Sequence, residues 1–103
     1  MMWEIVFSEE AKKDRAALDG SVRKQVLSAI YKVAQNPLPK SEGGYGTPLR
    51  GNLAGLCKIK LLKLGIRVVY ELVKTETSMK IIVIAARADD EVYEMAVKRN
   101  KLK

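Results

Sequence analysis

Residues 56–73 read LCKIKLLKLGIRVVYELV, two runs of β-forming residues on either side of a turn at Gly65. The short apolar runs and the glycine-containing link between them predict an antiparallel hairpin. Side chains alternate along a strand, so Cys57, Ile59 and Leu61 share one face, which needs a cover, while Lys58 and Lys60 share the other. A third run, MKIIVIAA at 79–86, follows the short link KTETS, so consecutive strands are expected to pair as an antiparallel meander. These central strands are apolar on both faces, and at least part of each face must be packed against something.

Upstream, WEIVF at 3–7 reads as a strand, and Ser8 followed by Glu9, Glu10 and Ala11 reads as a helix N-cap with acids in the first turn. That helix is expected to stop at Asp19-Gly20, and Ser21 opens a second one. Val22, Val26, Ala29, Ile30 and Val33 recur there at three- and four-residue spacing and form one apolar stripe. The two helices form an αα-hairpin, with Tyr31 packing beside the stripe. Asn36-Pro37 ends the second helix, and residues 36–55 hold all three prolines and most of the glycines, the composition of a loop. Tyr45, between glycines, reads as the apolar pin of that loop more than as a base-stacking residue. Downstream, DDEVYEMAVKRNKLK runs from acids to bases, the charge order that a helix dipole favours. The expected fold is α+β, in the order β-α-α-β-β-β-α. A small antiparallel sheet carries the helical hairpin on one face, a short C-terminal helix closes it, and residues 1–103 form one domain.

Composition narrows the chemistry. Nineteen Lys and Arg against twelve Asp and Glu give a formal charge of +7 and favour polyanionic partners. A single cysteine, Cys57, excludes an intramolecular disulfide and a cysteine metal cluster, and the absence of histidine removes the commonest metal ligand and general base. No run approaches the ~20 apolar residues of a membrane span, so the expectation is a cytoplasmic protein without membrane contact.

Against that background the two strand lysines stand out. Neighbouring ammonium groups repel unless an anion lies between them, and Arg67, if it shares their face, makes three cations in one patch. Lysines also serve simply to blunt an exposed sheet face or edge, and spacing alone does not separate the two readings. Arg87, just after the last strand, and Tyr93, one and a half helical turns further on, are placed to fold back over the same face. A set of lysine, arginine and tyrosine without a carboxylate pair suits phosphate. RNA cleavage by in-line attack of the 2′-hydroxyl needs a base, cations for the phosphorane and an acid for the departing 5′-oxygen, and these residue types can supply all three without metal or cofactor.

Three segments together resemble the RelE toxins of type II toxin-antitoxin systems, within the RelE/ParE superfamily. FSEEAKKDRAALDGSVRKQV is similar to the family's helical hairpin, LRGNLAGLCKIKLLKLGIRVVY to its strongest motif, and ARADDEVYEMAVKR to its closing segment. The resemblance implies a ribosome-dependent endoribonuclease, an mRNA interferase that enters the ribosomal A site and cuts mRNA to a 2′,3′-cyclic phosphate and a 5′-hydroxyl, which stops translation. Carried over by position, Lys58 and Lys60 match the family's strand lysines, Arg67 the arginine of the next strand, Arg87 the arginine after the last strand, and Tyr93 the tyrosine of the C-terminal helix. One lysine and the tyrosine are thereby implicated in proton transfer and base stacking, the arginines in stabilising the phosphate, and Arg50 in contacting RNA. The resemblance also implies a cognate RelB-like antitoxin with an acidic, partly disordered segment, through which alone DNA is contacted. Two features depart from the family pattern. The loop from Pro37 to Pro48 is longer and richer in glycine, and Asp89 stands where some relatives carry another arginine, which is expected to remove one positive charge near the scissile bond. Two alternatives remain beside this reading: a ParE-like toxin acting on DNA gyrase, and a non-catalytic module that binds RNA or antitoxin.

Overall fold

A computed structural model describes residues 2–101. Strand β1 (Glu4–Phe7) leads into helices α1 (Glu9–Ala16) and α2 (Gly20–Val33). A two-residue strand β2 (Thr47–Pro48), then β3 (Leu56–Leu61), β4 (Ile66–Val73) and β5 (Ser78–Ala85) follow, and α3 (Asp89–Lys101) ends the described chain. The Ser8 hydroxyl accepts from the Ala11 backbone N–H at 3.1 Å, as an N-cap must. At the other end of α1, the Arg23 guanidinium of α2 donates to the carbonyls of Arg15, Ala16 and Leu18. Arginine thus satisfies acceptors that every helix C-terminus leaves open.

The sheet runs in the order β1-β5-β4-β3-β2. Strands β2 to β5 form the expected antiparallel meander, but β1 lies parallel to β5, so the sheet is mixed rather than wholly antiparallel. Short turns impose antiparallel pairing only on strands adjacent in sequence. No such turn joins β1 to β5, because the helical hairpin and the whole meander lie between them. Strand β2 was not expected either; it adds Thr47 and Pro48 to the edge of β3, where a proline is tolerated because its missing N–H faces no partner.

Each sheet face carries its own core. On one, Val26 and Ile30 of α2 and Ala11 of α1 pack over Cys57, Ile59, Val68, Tyr70, Met79 and Ile81. On the other, Val92 and Ala96 of α3 pack over Leu56, Val69, Ile82 and Val83. The β4–β5 register slips between Val69 and Tyr70, leaving Ile82 as an extra residue, so Ile82 and Val83 both serve the α3 side. Burial pushes the Cys57 thiol and the Tyr70 phenol above their ordinary values, and both stay neutral in the core.

The glycine-rich loop is tied down by its backbone, with Tyr45 N–H donating to Asn36 O and Gly46 N–H to Leu38 O. Tyr45 itself is 54% exposed and is not the pin expected of it. Gly46 takes that part: a Cβ there would stand 2.3 Å from Tyr70 Oη and 2.9 Å from Pro37 O, so only glycine lets the loop close on the buried Tyr70, whose hydroxyl donates to Pro37 O at 2.7 Å.

Beyond Phe7 the edge of β5 has no strand partner. Asp14 of α1 accepts from Ile84 N–H at 3.0 Å, and Arg99 of α3 donates to Ile82 O at 2.8 Å and to Asp14 at 2.7 Å. One ion pair therefore covers an open sheet edge and joins the first helix to the last. No helix among the described residues is long and apolar enough to cross a membrane.

Candidate active site

Lys58 and Lys60 stand on β3, and Arg67 on β4 lies directly opposite Lys60 in register. Strand alternation places all three on the α3 side of the sheet, while Cys57, Ile59, Val68 and Tyr70 fill the other. The convergence expected from the sequence is therefore present. Helix α3 crosses this face and brings Tyr93 to Lys58, whose Nζ donates to the tyrosine hydroxyl at 2.7 Å.

At the centre of the cluster is the carboxylate of Asp89, the first residue of α3. Its Oδ1 accepts from Arg67 Nε, and its Oδ2 lies 3.5 Å from Lys60 Nζ and 3.8 Å from Lys58 Nζ. Desolvation pushes this carboxyl upward, but the hydrogen bond from Arg67 and the charges of Lys58, Lys60 and Arg67 outweigh it and hold the group below the usual carboxylate range. The sequence marks Asp89 only as a lost positive charge; folded, it is the counter-anion that lets three cations sit together. One signal for it was available. Asp89 and Tyr93 are four residues apart, the spacing that puts two side chains on one helix face, so whatever brings Tyr93 to the lysines brings Asp89 too.

The remaining expected residues are placed less directly. Arg67 Nη1 donates to the backbone carbonyl of Arg87 at 2.7 Å, which fixes the chain between β5 and α3. The Arg87 guanidinium turns outward, pairs with Glu91 at 3.2 Å and lines an open cleft with Asp14, Leu18 and Met95. Arg50 is exposed ahead of the short turn Gly51–Leu53, which packs on α3, and no hydrogen bond or ion pair joins its side chain to the cluster. Among the described residues no group of three or more His, Cys, Asp and Glu is placed to hold a metal ion. The cluster can neutralise a compact anion, with a phenol and an ammonium in hydrogen-bond contact beside it.

A mixed sheet backed by a helical hairpin, with a basic face closed by a tyrosine from the last helix, defines an α+β protein with a cation cluster under its C-terminal helix. No family model matches the chain. It is 30% identical over 99 residues to the mRNA interferase toxin RelE of Escherichia coli K12, covering 96% of this chain and 98% of that protein. A free double arginine-to-alanine mutant of E. coli toxin RelE superposes with a TM-score of 0.79 at 30% identity, over 96% of this chain and 98% of that one. The intact E. coli RelBE toxin-antitoxin complex gives 0.72 at 26% identity, over 84% and 98%. The chain belongs to the RelE toxin family.

Proposed function

We propose that this protein is the toxin of a type II toxin-antitoxin pair and acts as an mRNA interferase, an endoribonuclease that halts translation. The Lys58–Tyr93 hydrogen bond beside Lys60 and Arg67 carries this reading, since it sets a proton-transfer pair against an anion-binding cluster. The RelE relatives that bear the interferase name, and the RelE chains solved with antitoxin, support it. The partner that restrains the toxin is a RelB-like antitoxin whose acidic segment is attracted by the +7 charge. The site of action is the ribosomal A site, where ribosomal RNA meets the same basic surface and mRNA is the substrate.

Lys60 and Arg67 hold the non-bridging oxygens of the scissile phosphate, and the Lys58–Tyr93 pair moves protons. The ribose 2′-oxygen bonds to phosphorus as one member of the Lys58–Tyr93 pair takes its proton, the P–O5′ bond breaks, and the other member gives a proton to the departing 5′-oxygen. The products are a 2′,3′-cyclic phosphate and a 5′-hydroxyl, with no net water consumed. Arg87 adds its charge to the phosphorane once its guanidinium leaves Glu91, and Arg50 guides the strand.

Induction followed by mapping of mRNA 5′ ends tests this. Cuts inside codons that disappear when translation is blocked are expected. Tyr93→Phe, which keeps the ring but removes the acceptor of Lys58, should lower cleavage by about 10²–10⁴, the usual worth of a proton-transfer group. Arg87→Ala should relieve growth inhibition, and both variants should still bind antitoxin. Intact mRNA with altered DNA supercoiling would overturn the assignment in favour of a gyrase toxin.

A further inference from the structure

Asp89 is arranged as a phosphodiester would be. Its two oxygens are divided between a guanidinium and two ammonium groups, Oδ1 on Arg67 and Oδ2 between Lys60 and Lys58, and a phosphate offers two non-bridging oxygens to the same donors. The side chains of Lys58 and Arg67 are 20% exposed, against 36% for Asp89 and 39% for Lys60, so the carboxylate is more open to solvent than two of the three cations that hold it. Rotation about its side-chain torsions carries the carboxylate outward and leaves the backbone hydrogen bonds of α3 in place. Both oxygens are engaged by cations, which makes this carboxylate a weak candidate for the base of the reaction. It fits the part of an occupant.

We infer that Asp89 is an internal placeholder for the scissile phosphate: the Lys58–Lys60–Arg67 cradle is closed by the protein's own carboxylate until an RNA phosphodiester displaces it. Asp89 is then a positioning residue, which keeps the three cations gathered in the free protein and competes with RNA for them. The identity of the displacing anion rests on the nuclease reading; the cradle and its occupant do not.

Binding of a fully 2′-O-methylated RNA oligonucleotide, which lacks the attacking hydroxyl, measures the competition without cleavage. Asp89→Asn should bind it roughly three- to tenfold more tightly than the wild type, the scale of a few partly exposed ion pairs. Asp90→Asn removes the same charge from the same helical turn without touching the cradle and should gain clearly less. Equal gains in both variants, or none in Asp89→Asn, would overturn the inference. Carbon-detected NMR of the unmodified protein reads displacement directly and does not depend on a variant folding. The Asp89 carboxylate resonance should move toward that of a solvated aspartate as the oligonucleotide saturates, and a resonance that stays fixed while the lysine ammonium signals shift would sink the idea. Displacement without ribosome-dependent cleavage would leave the cradle standing and remove the nuclease reading; cleavage with Asp89 fixed in place would do the reverse.

Discussion

Asp89 influences stability and binding in opposite senses. Its carboxyl is held below the ordinary value in the folded protein, so its contribution to stability is present above the unfolded carboxylate value of about 3.9 and is lost as pH falls through the lower folded value. Thermal melts of the wild type and Asp89→Asn should therefore differ above the unfolded carboxylate value of about 3.9 and converge as the pH falls well below it, with the wild type more stable wherever they differ. A gap that stayed constant across that range would mean that the carboxylate's charge is not what stabilises the site. Lys58, Lys60, Arg67 and Tyr93 could be read from strand alternation and family resemblance, because a strand's two-residue period assigns faces without knowledge of the rest of the molecule. The side-chain direction of Arg87 could not. Its pairing with Glu91 is a local helix contact that competes with the site, and sequence does not rank the two.

Among the elements, the loop between α2 and β3 and the edge of β5 carry the unforeseen features. Gly46→Ala would drive a Cβ into the Tyr70 hydroxyl and the Pro37 carbonyl, the second of which is backbone and cannot simply rotate away. The variant should lose about 1–3 kcal/mol in urea unfolding, the range of an overpacked core. Tyr70→Phe keeps the ring, leaves the Pro37 carbonyl without its donor and should cost about 1–3 kcal/mol. The loop's composition marked it as a loop correctly, but Tyr45 was a poor guide to its anchor. An aromatic residue attracts the packing assignment, whereas here a close approach of backbone to a buried hydroxyl makes the contact, and that demands the smallest residue present.

Across the whole molecule, α3 is the lever that matters, because Tyr93 and Asp89 both ride on it while their partners sit on the sheet. The Asp14–Arg99 pair holds its far end, with side chains 16% and 18% exposed. Arg99→Ala leaves Asp14 without its cation and Ile82 O without its donor, and should destabilise the protein by about 2–4 kcal/mol, toward the cost of breaking a buried pair. The Ile84 amide should exchange faster with solvent in that variant, and RNA cleavage should fall although neither Asp14 nor Arg99 touches the site. Unchanged exchange at Ile84 would show that the edge is held by something other than this pair.

By itself, the sequence determined the α+β class, the order of the main elements, the two-faced sheet and the shared face of Lys58 and Lys60. Each of these follows from a periodicity or cap confined to a few neighbouring residues. Only the tertiary structure decided that β1 runs parallel to β5, that Arg99 reaches Asp14 across 85 positions to close the sheet edge, and that Asp89 fills the cation cluster. These depend on which distant segments meet once two cores have packed on opposite faces of one sheet. No local pattern encodes such meetings, because they are selected by the shared cost of leaving a strand edge, a carbonyl or a charge without a partner.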